Sequence, residues 1–270
     1  MTGRPTGADT GTRTGTYTRT DTDTHRAVRS ADDGFRVAVR EIREAAFRAL
    51  VAAGASSGEA ATAAELVVLG EVLDGTGVRA LAEELDRVPR GRHPVACSGD
   101  TLLVLHDPAG RGPLLLGPPA ADLAAARSRP VLLPGAWTPS VEWILVSAAA
   151  RTSAPLLATR VRADGSPGAC VLATPDGTLY RSASSAVFDG QPAGRAADAP
   201  GLPGTGRVGA GTLLTPWNRP GQSPDLPPAR TPAQHHERFT TALTHGLRVA
   251  PGPWETIHGA ARRYLVPEHP

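Results

Sequence analysis

No lysine occurs among the 270 residues, so all 28 basic residues are arginine. That absence excludes a Schiff-base lysine, and it excludes a Walker-type phosphate loop, which needs Gly-Lys-Ser/Thr. Cysteine is nearly missing too. Cys97 and Cys170 lie far apart, without neighbouring ligands at zinc spacing, so neither a disulfide framework nor a metal knuckle fits, and buried free thiols are expected. Aromatic residues make up 4 % of the chain, which leaves the core to Ala, Val and Leu and favours tight helix contacts over large pockets. Neither charge sign dominates: 28 basic and 26 acidic residues are interspersed, unlike the basic face a phosphate backbone requires, so nucleic-acid binding is disfavoured and no nucleic-acid partner is expected. No run of about 18 apolar residues exists and the N-terminus has no apolar signal region. The expectation is a cytoplasmic protein with no membrane partner. A Gly-x-Ser-x-Gly elbow is absent as well, and the hydroxyl-rich segments Arg151-Thr152-Ser153 and Ser182 to Ser185 have no identifiable base.

What is present starts with a threonine-rich tail. Every second residue from Thr10 to Thr24 is threonine, a strand-like period with no apolar face to bury, so residues 1–33 are read as disordered. A single domain over 34–270 is expected to follow. The high Ala, Gly, Pro and Arg content reads as the coding bias of a GC-rich genome.

Helical spacing begins at Val39, Ile42, Ala46, Ala49 and Leu50 and predicts a helix over about 37–53, stopped by Gly54. Ser56 and Glu59 form a capping-box pattern for a second helix to about Leu73, whose buried stripe includes Ala63, Leu66, Val67 and Gly70. Asp74-Gly75-Thr76-Gly77 breaks it, and 78–88 reads as a short third helix. Thr101 to His106, Pro113 to Gly117 and Val131 to Leu133 read as strands, with a helix at 120–127. Between Trp143 and Ser184 lies the clearest β signal. Runs at 155–162, 169–174 and 178–182 are separated by Asp164-Gly165 and Asp176-Gly177, the signature of an antiparallel meander. Residues 189–232 are rich in Pro and Gly and read as an irregular excursion. Helices over 232–246 and 253–263 close the chain. The order predicts an α+β fold: N-terminal helices, a central antiparallel β meander and C-terminal helices.

Candidate chemistry is sparse. Gly204-Thr-Gly206-Arg-Val-Gly209 matches the dinucleotide fingerprint as a string, but it follows Ala-Pro-Gly-Leu-Pro instead of a strand and precedes Thr212 to Pro216 instead of a helix, and so reads as a Gly-rich loop. His235, His236, His245 and His258 gather near the C-terminus without metal-ligand spacing, and no metal site is expected. His106-Asp107 could place a general base at a strand end, yet His before Asp-Pro is also ordinary turn chemistry, and the latter is favoured.

The stretch from Glu41 to Val88, with Ala53-Gly54, the capping Ser56, the Ala-rich helix at 60–70 and the break at 74–78, resembles the N-terminal helical region of type-2 malate/lactate dehydrogenases. In that family the break carries Asp-Ser-His-Gly, whose imidazole handles the hydroxy-acid proton during NAD(P)-linked hydride transfer. Thr76 stands here in the histidine's place, and an unassisted hydroxyl cannot exchange a proton near neutral pH as imidazole can. The two ends of the domain, Glu41-Ile42 with Ala53-Gly54-Ala55-Ser56 and Gly246-Leu-x-Val249, Trp254, Ala260, Tyr264-Leu-Val-Pro267-Glu268, resemble the bacterial family Domain of Unknown Function 3726, which has no assigned reaction.

Two readings follow. One is an enzyme-like protein of bacterial small-molecule, including secondary, metabolism, with Asp74, Thr76 and Tyr264 as candidate catalytic residues around a cleft. NAD(P) is the cofactor implied by the resemblance and lacks a good fingerprint. The other is a noncatalytic accessory or scaffolding subunit of a biosynthetic pathway. The partner is a small molecule or a pathway enzyme, and oligomeric state stays open.

Overall fold

The computed structural model describes residues 34–89, 94–135, 137–184, 210–217 and 224–264. The threonine-rich tail, the Gly204–Gly209 string, most of the Pro/Gly-rich excursion and Pro267-Glu268 fall outside them.

The first three helices follow local rules. Helix α1 (Val39–Ala53) buries Ile42, Ala46, Ala49 and Leu50 at helical spacing and ends at Gly54, whose φ of 121° a side chain would oppose. Helix α2 (Ser57–Asp74) opens with the reciprocal box: Glu59 N–H donates to Ser56 Oγ at 3.3 Å and Ser56 N–H to Glu59 Oε2 at 3.0 Å. It is apolar on most of its circumference, as suits a helix packed against α1 and the later helices on several sides. Helix α3 (Gly77–Glu84) turns back after Gly75, a left-handed C-cap at φ 67°. Gly77 makes this reversal so close that a Cβ there would lie 2.0 Å from the Val67 carbonyl oxygen. A 3-10 turn, Leu85–Arg87, completes the segment expected as one helix over 78–88.

Three small strands have no readable signal in the sequence. Strand β1 (Phe35–Val37) pairs antiparallel with β9 (Leu247–Val249), so the start of the domain is tied to its C-terminal part. At three residues each, neither has a readable period. Strands β2 (Ala96–Ser98) and β3 (Leu103–His106) form a hairpin, and β2 leaves Cys97 exposed, which corrects the expectation that both thiols are buried. Cys170 is buried, its Sγ 3.3 Å from Thr159 Oγ1.

The largest correction concerns Pro113–Gly117. It opens helix α4 (Pro113–Arg127) and is not a strand. Pro113 occupies the first helical turn, where its missing N–H costs nothing, and the run Leu114-Leu115-Leu116 is buried all round between α2, α5 and the sheet. An apolar run of this length carries no period to separate helix from strand. Helix α5 (Ser140–Thr152) lies at the start of the segment read for β signal, and for the same reason: Val141 to Val146 is apolar apart from Glu142.

Strand β4 (Val131–Pro134) runs parallel to β3 across the α4 crossover. Strands β5 (Leu156–Val161), β6 (Pro167–Ala173) and β7 (Leu179–Ser182) form the expected meander, with Gly165 and Gly177 at φ 82° and 89°. Strand β8 (Gly211–Pro216), from within the excursion read as irregular, sits antiparallel between β4 and β5, and all six of its residues are buried. The resulting seven-stranded order is β2-β3-β4-β8-β5-β6-β7, antiparallel except for β3 with β4. Helices α4 and α5 pack on one face of this sheet, and helices α6 (Pro232–His245) and α7 (Pro251–Arg263) close the described chain. The fold is α+β, with helices at both ends of the described region.

Candidate active site

Helix α2 ends where four elements meet. Asp74 is its last residue; although the residue reaches solvent, the carboxylate-bearing side chain is only 21 % exposed. Oδ2 accepts from the indole Nε1–H of Trp143 on α5 at 2.7 Å, and Oδ1 accepts from Arg230 Nη2 at 2.7 Å. Trp143 is fully buried and can lie there because Gly70 has no side chain: a Cβ at 70 would be 2.6 Å from the indole ring. Arg230 is itself 8 % exposed and is fixed by its backbone, which exchanges hydrogen bonds with Leu179 at the start of β7. The Arg238 guanidinium, one helical turn beyond His235 on α6, donates to the Leu73 carbonyl. Next to these, Arg181 on β7 grips Glu142 on α5 through both carboxylate oxygens.

Charge at this corner is unequal. Arg181 pairs with Glu142 and Arg230 with Asp74, while Arg238 holds the Leu73 carbonyl, so three guanidiniums stand against two carboxylates. His235, in the first turn of α6, sits among them, and burial followed by the nearby Arg230 and Arg238 charges pushes its pKa below the ordinary imidazole value. These effects hold the imidazole in its neutral form at pH 7. Three polar atoms here are buried without a hydrogen-bond partner: Arg230 Nη1, His235 Nε2 and Thr76 Oγ1, the last belonging to the N-cap residue of α3 two positions beyond Asp74. Buried polar groups are nearly always paired, and each unpaired one costs on the order of 1–3 kcal/mol.

The three candidate residues of the sequence reading therefore separate. Asp74 and Thr76 share the α2–α3 turn. Tyr264, 46 % exposed, caps α7 and meets Phe47 edge-on at 6.4 Å in a groove that includes Ala61 and Ala64 of α2. Ala64 precedes Asp74 by ten residues, about 15 Å along the helix. Trp143, Arg230 and Arg238 had no signal in the sequence, since their partners are 69, 156 and 165 positions away. In the sequence His235 stands out only as a histidine without metal-ligand spacing, and among the described residues no group of three or more His, Cys, Asp or Glu side chains is placed to hold a metal. Asp107 does ordinary turn work, accepting from the Arg111 N–H, Nε–H and Nη2–H, and His106 pairs with Ser98.

A pyrophosphate needs exposed N–H groups at a helix N-terminus. Two glycine-bearing helix starts, those of α3 and α4, are already filled by the chain's own carboxylates. Glu71 accepts from Val78 N–H at 2.8 Å, and Glu84 accepts from Leu114 N–H at 3.1 Å beside Gly112, where a Cβ would collide with the carboxylate. Neither end fits a dinucleotide phosphate.

No known family profile and no curated protein matches the chain. Solved structures do. The malate dehydrogenase of Entamoeba histolytica superposes with a TM-score of 0.57 at 10 % identity, covering 87 % of this chain and 99 % of that one. The malate dehydrogenase of Pyrococcus horikoshii OT3 gives 0.57 at 12 % identity, with 87 % and 97 % covered. The sulfolactate dehydrogenase of Methanocaldococcus jannaschii gives 0.55 at 8 % identity, with 86 % and 98 % covered. At such identities the likeness is one of fold, and it agrees with the resemblance seen in residues 41–88.

Proposed function

We propose that this chain is an oxidoreductase-like protein of bacterial small-molecule metabolism that binds a small 2-hydroxy or 2-oxo carboxylate at the Asp74 corner. The supporting observation is that Arg230 Nη1 and His235 Nε2 are buried and unpartnered at the Asp74–Arg230 pair, and that Thr76 Oγ1, two residues beyond Asp74, is unpartnered as well. A substrate carboxylate would satisfy Arg230 Nη1 with a charge-assisted bond, and its 2-oxygen would pair with Thr76 Oγ1 and His235 Nε2. A neutral His235 can accept a hydrogen bond from the substrate hydroxyl, in the place that the dehydrogenase motif gives to the imidazole that Thr76 replaces. Asp74 is then a positioning residue: it orients Arg230 and is itself held by Trp143.

A noncatalytic accessory role is the second reading, and the two plugged helix starts favour it, because they leave a nicotinamide dinucleotide no phosphate cradle at α3 or α4. No step of the proposal is routed through that cofactor. Membership of Domain of Unknown Function 3726, a cytoplasmic location and a pathway enzyme as partner belong to the same proposal. Thermal unfolding in the presence of L-malate, pyruvate and oxaloacetate, together with turnover assays using NAD(H) and NADP(H), tests it. A midpoint raised by these acids supports the binding site, and turnover in addition selects the enzyme reading. No rise with any of the acids removes both.

A further inference from the structure

A second concavity lies between β1, α1 and α7, with a volume of about 500 Å³, inside the range of small-molecule sites. Its floor is Ala45 and Ala261, both buried, where α1 and α7 touch. Residues 254, 258 and 262 fall four apart and so share one face of α7. They are Trp254, His258 and Arg262. The Trp254 and His258 rings are stacked, centroids 5.8 Å apart at 26°, and Phe35 of β1 meets Trp254 edge-on at 6.2 Å. This fixes an aromatic wall at low conformational cost.

The charges of the groove are already committed, with one exception. Glu44 on α1 accepts from Arg40 and Arg48, Glu41 accepts from the Ala38 N–H, and Arg36 donates to the carbonyls of His245 and Gly246. Arg262 has no partner among the described residues. It stands four residues from His258, about 6 Å along the helix. The groove thus offers a ring-stacking surface and, one turn away, an uncommitted guanidinium.

We propose that this groove binds small planar aromatic anions: a ring carrying a carboxylate or phosphate on a short arm, the ring against His258 and Trp254 and the acid on Arg262. The site shares no lining residue with the Asp74 corner, so it stands or falls independently of the carboxylate-binding reading.

Isothermal titration of the full chain with AMP and with indole-3-acetate tests the proposal, with adenosine and inorganic phosphate as partial ligands. Saturable binding of one or both acids is expected, each more tightly than its isolated ring or acid portion. AMP alone binding identifies the acid as a phosphate; indole-3-acetate alone identifies a carboxylate. Arg262→Gln should weaken binding about tenfold or more, the worth of a charge-assisted bond, with unfolding midpoint unchanged because the side chain is exposed. His258→Ala should weaken it as well. No saturable binding by either acid, binding indifferent to Arg262→Gln, or inorganic phosphate binding as tightly as AMP would overturn the proposal.

Discussion

Replacing Glu84 by Gln should flatten the pH dependence of folding stability between about pH 4.5 and 7. Glu84 is the last residue of α3, 8 % exposed, and its carboxylate accepts from Leu114 N–H in the first turn of α4. Burial pushes its pKa from 4.5 up to about 7, outweighing the Leu114 bond and the Arg87 charge, which act the other way. The folded state thus holds the proton more tightly than the unfolded chain. The stabilisation by that proton is complete below the unfolded pKa near 4.5 and is lost as pH rises through the folded value near 7. A shift of this size amounts to roughly 3 kcal/mol across the window. Gln keeps a carbonyl oxygen for the Leu114 amide and carries no charge at any pH. Urea unfolding of parent and variant at pH 5, 6, 7 and 8 measures the difference directly, and titrations elsewhere, such as the raised Glu71 or the lowered Glu59, cancel in it. The variant should gain on the parent steadily from pH 5 to 7, by a total of up to about 3 kcal/mol. A constant gap across that range would refute the reasoning.

Other perturbations address the frame of the site. Gly77→Ala drives a Cβ against the Val67 carbonyl and the Glu71 amide, both backbone atoms that cannot swing aside, so a loss of about 4 kcal/mol or more is expected in denaturant titration. Trp143→Phe keeps most of the buried ring but removes the donor to Asp74 Oδ2; a loss on the order of 1–3 kcal/mol should appear as a lower unfolding midpoint. Deleting residues 2–33 should leave the thermal midpoint of the remaining chain within a degree or so, because that segment has no apolar face to bury.

How far the sequence discloses this protein depends on whether a feature is local. The α1–α2 pair, the Ser56–Glu59 box and the two Asp-Gly turns were readable because cap and turn residues sit within a few positions of what they stabilise. The start of helix α4 is not legible because three consecutive leucines have no period. Strand β8 was missed because it lies among Pro and Gly, and its place at the centre of the sheet is set by pairing with β4 and β5, residues 50 or more positions away. The candidate site divides in the same way. Asp74 and Thr76 could be named from the break in α2, whereas Arg230, between Pro-rich neighbours, has no local feature that announces an ion pair across the fold. Tyr264 stands with Asp74 only through resemblance, and the fold separates them: Tyr264 caps α7 beside Ala61 and Ala64 of α2, whereas Asp74 is the last residue of that helix.

Calorimetric titration of pyruvate and L-malate into the parent chain and into Arg230→Met and His235→Gln bears most directly on the carboxylate site. Circular dichroism and unfolding midpoints would confirm that each variant is folded. The account predicts saturable binding of at least one acid by the parent, weakened about tenfold or more by Arg230→Met and to a smaller extent by His235→Gln, which replaces the imidazole but keeps the guanidinium. Absence of binding by the parent, or equal binding by parent and folded Arg230→Met, would contradict it.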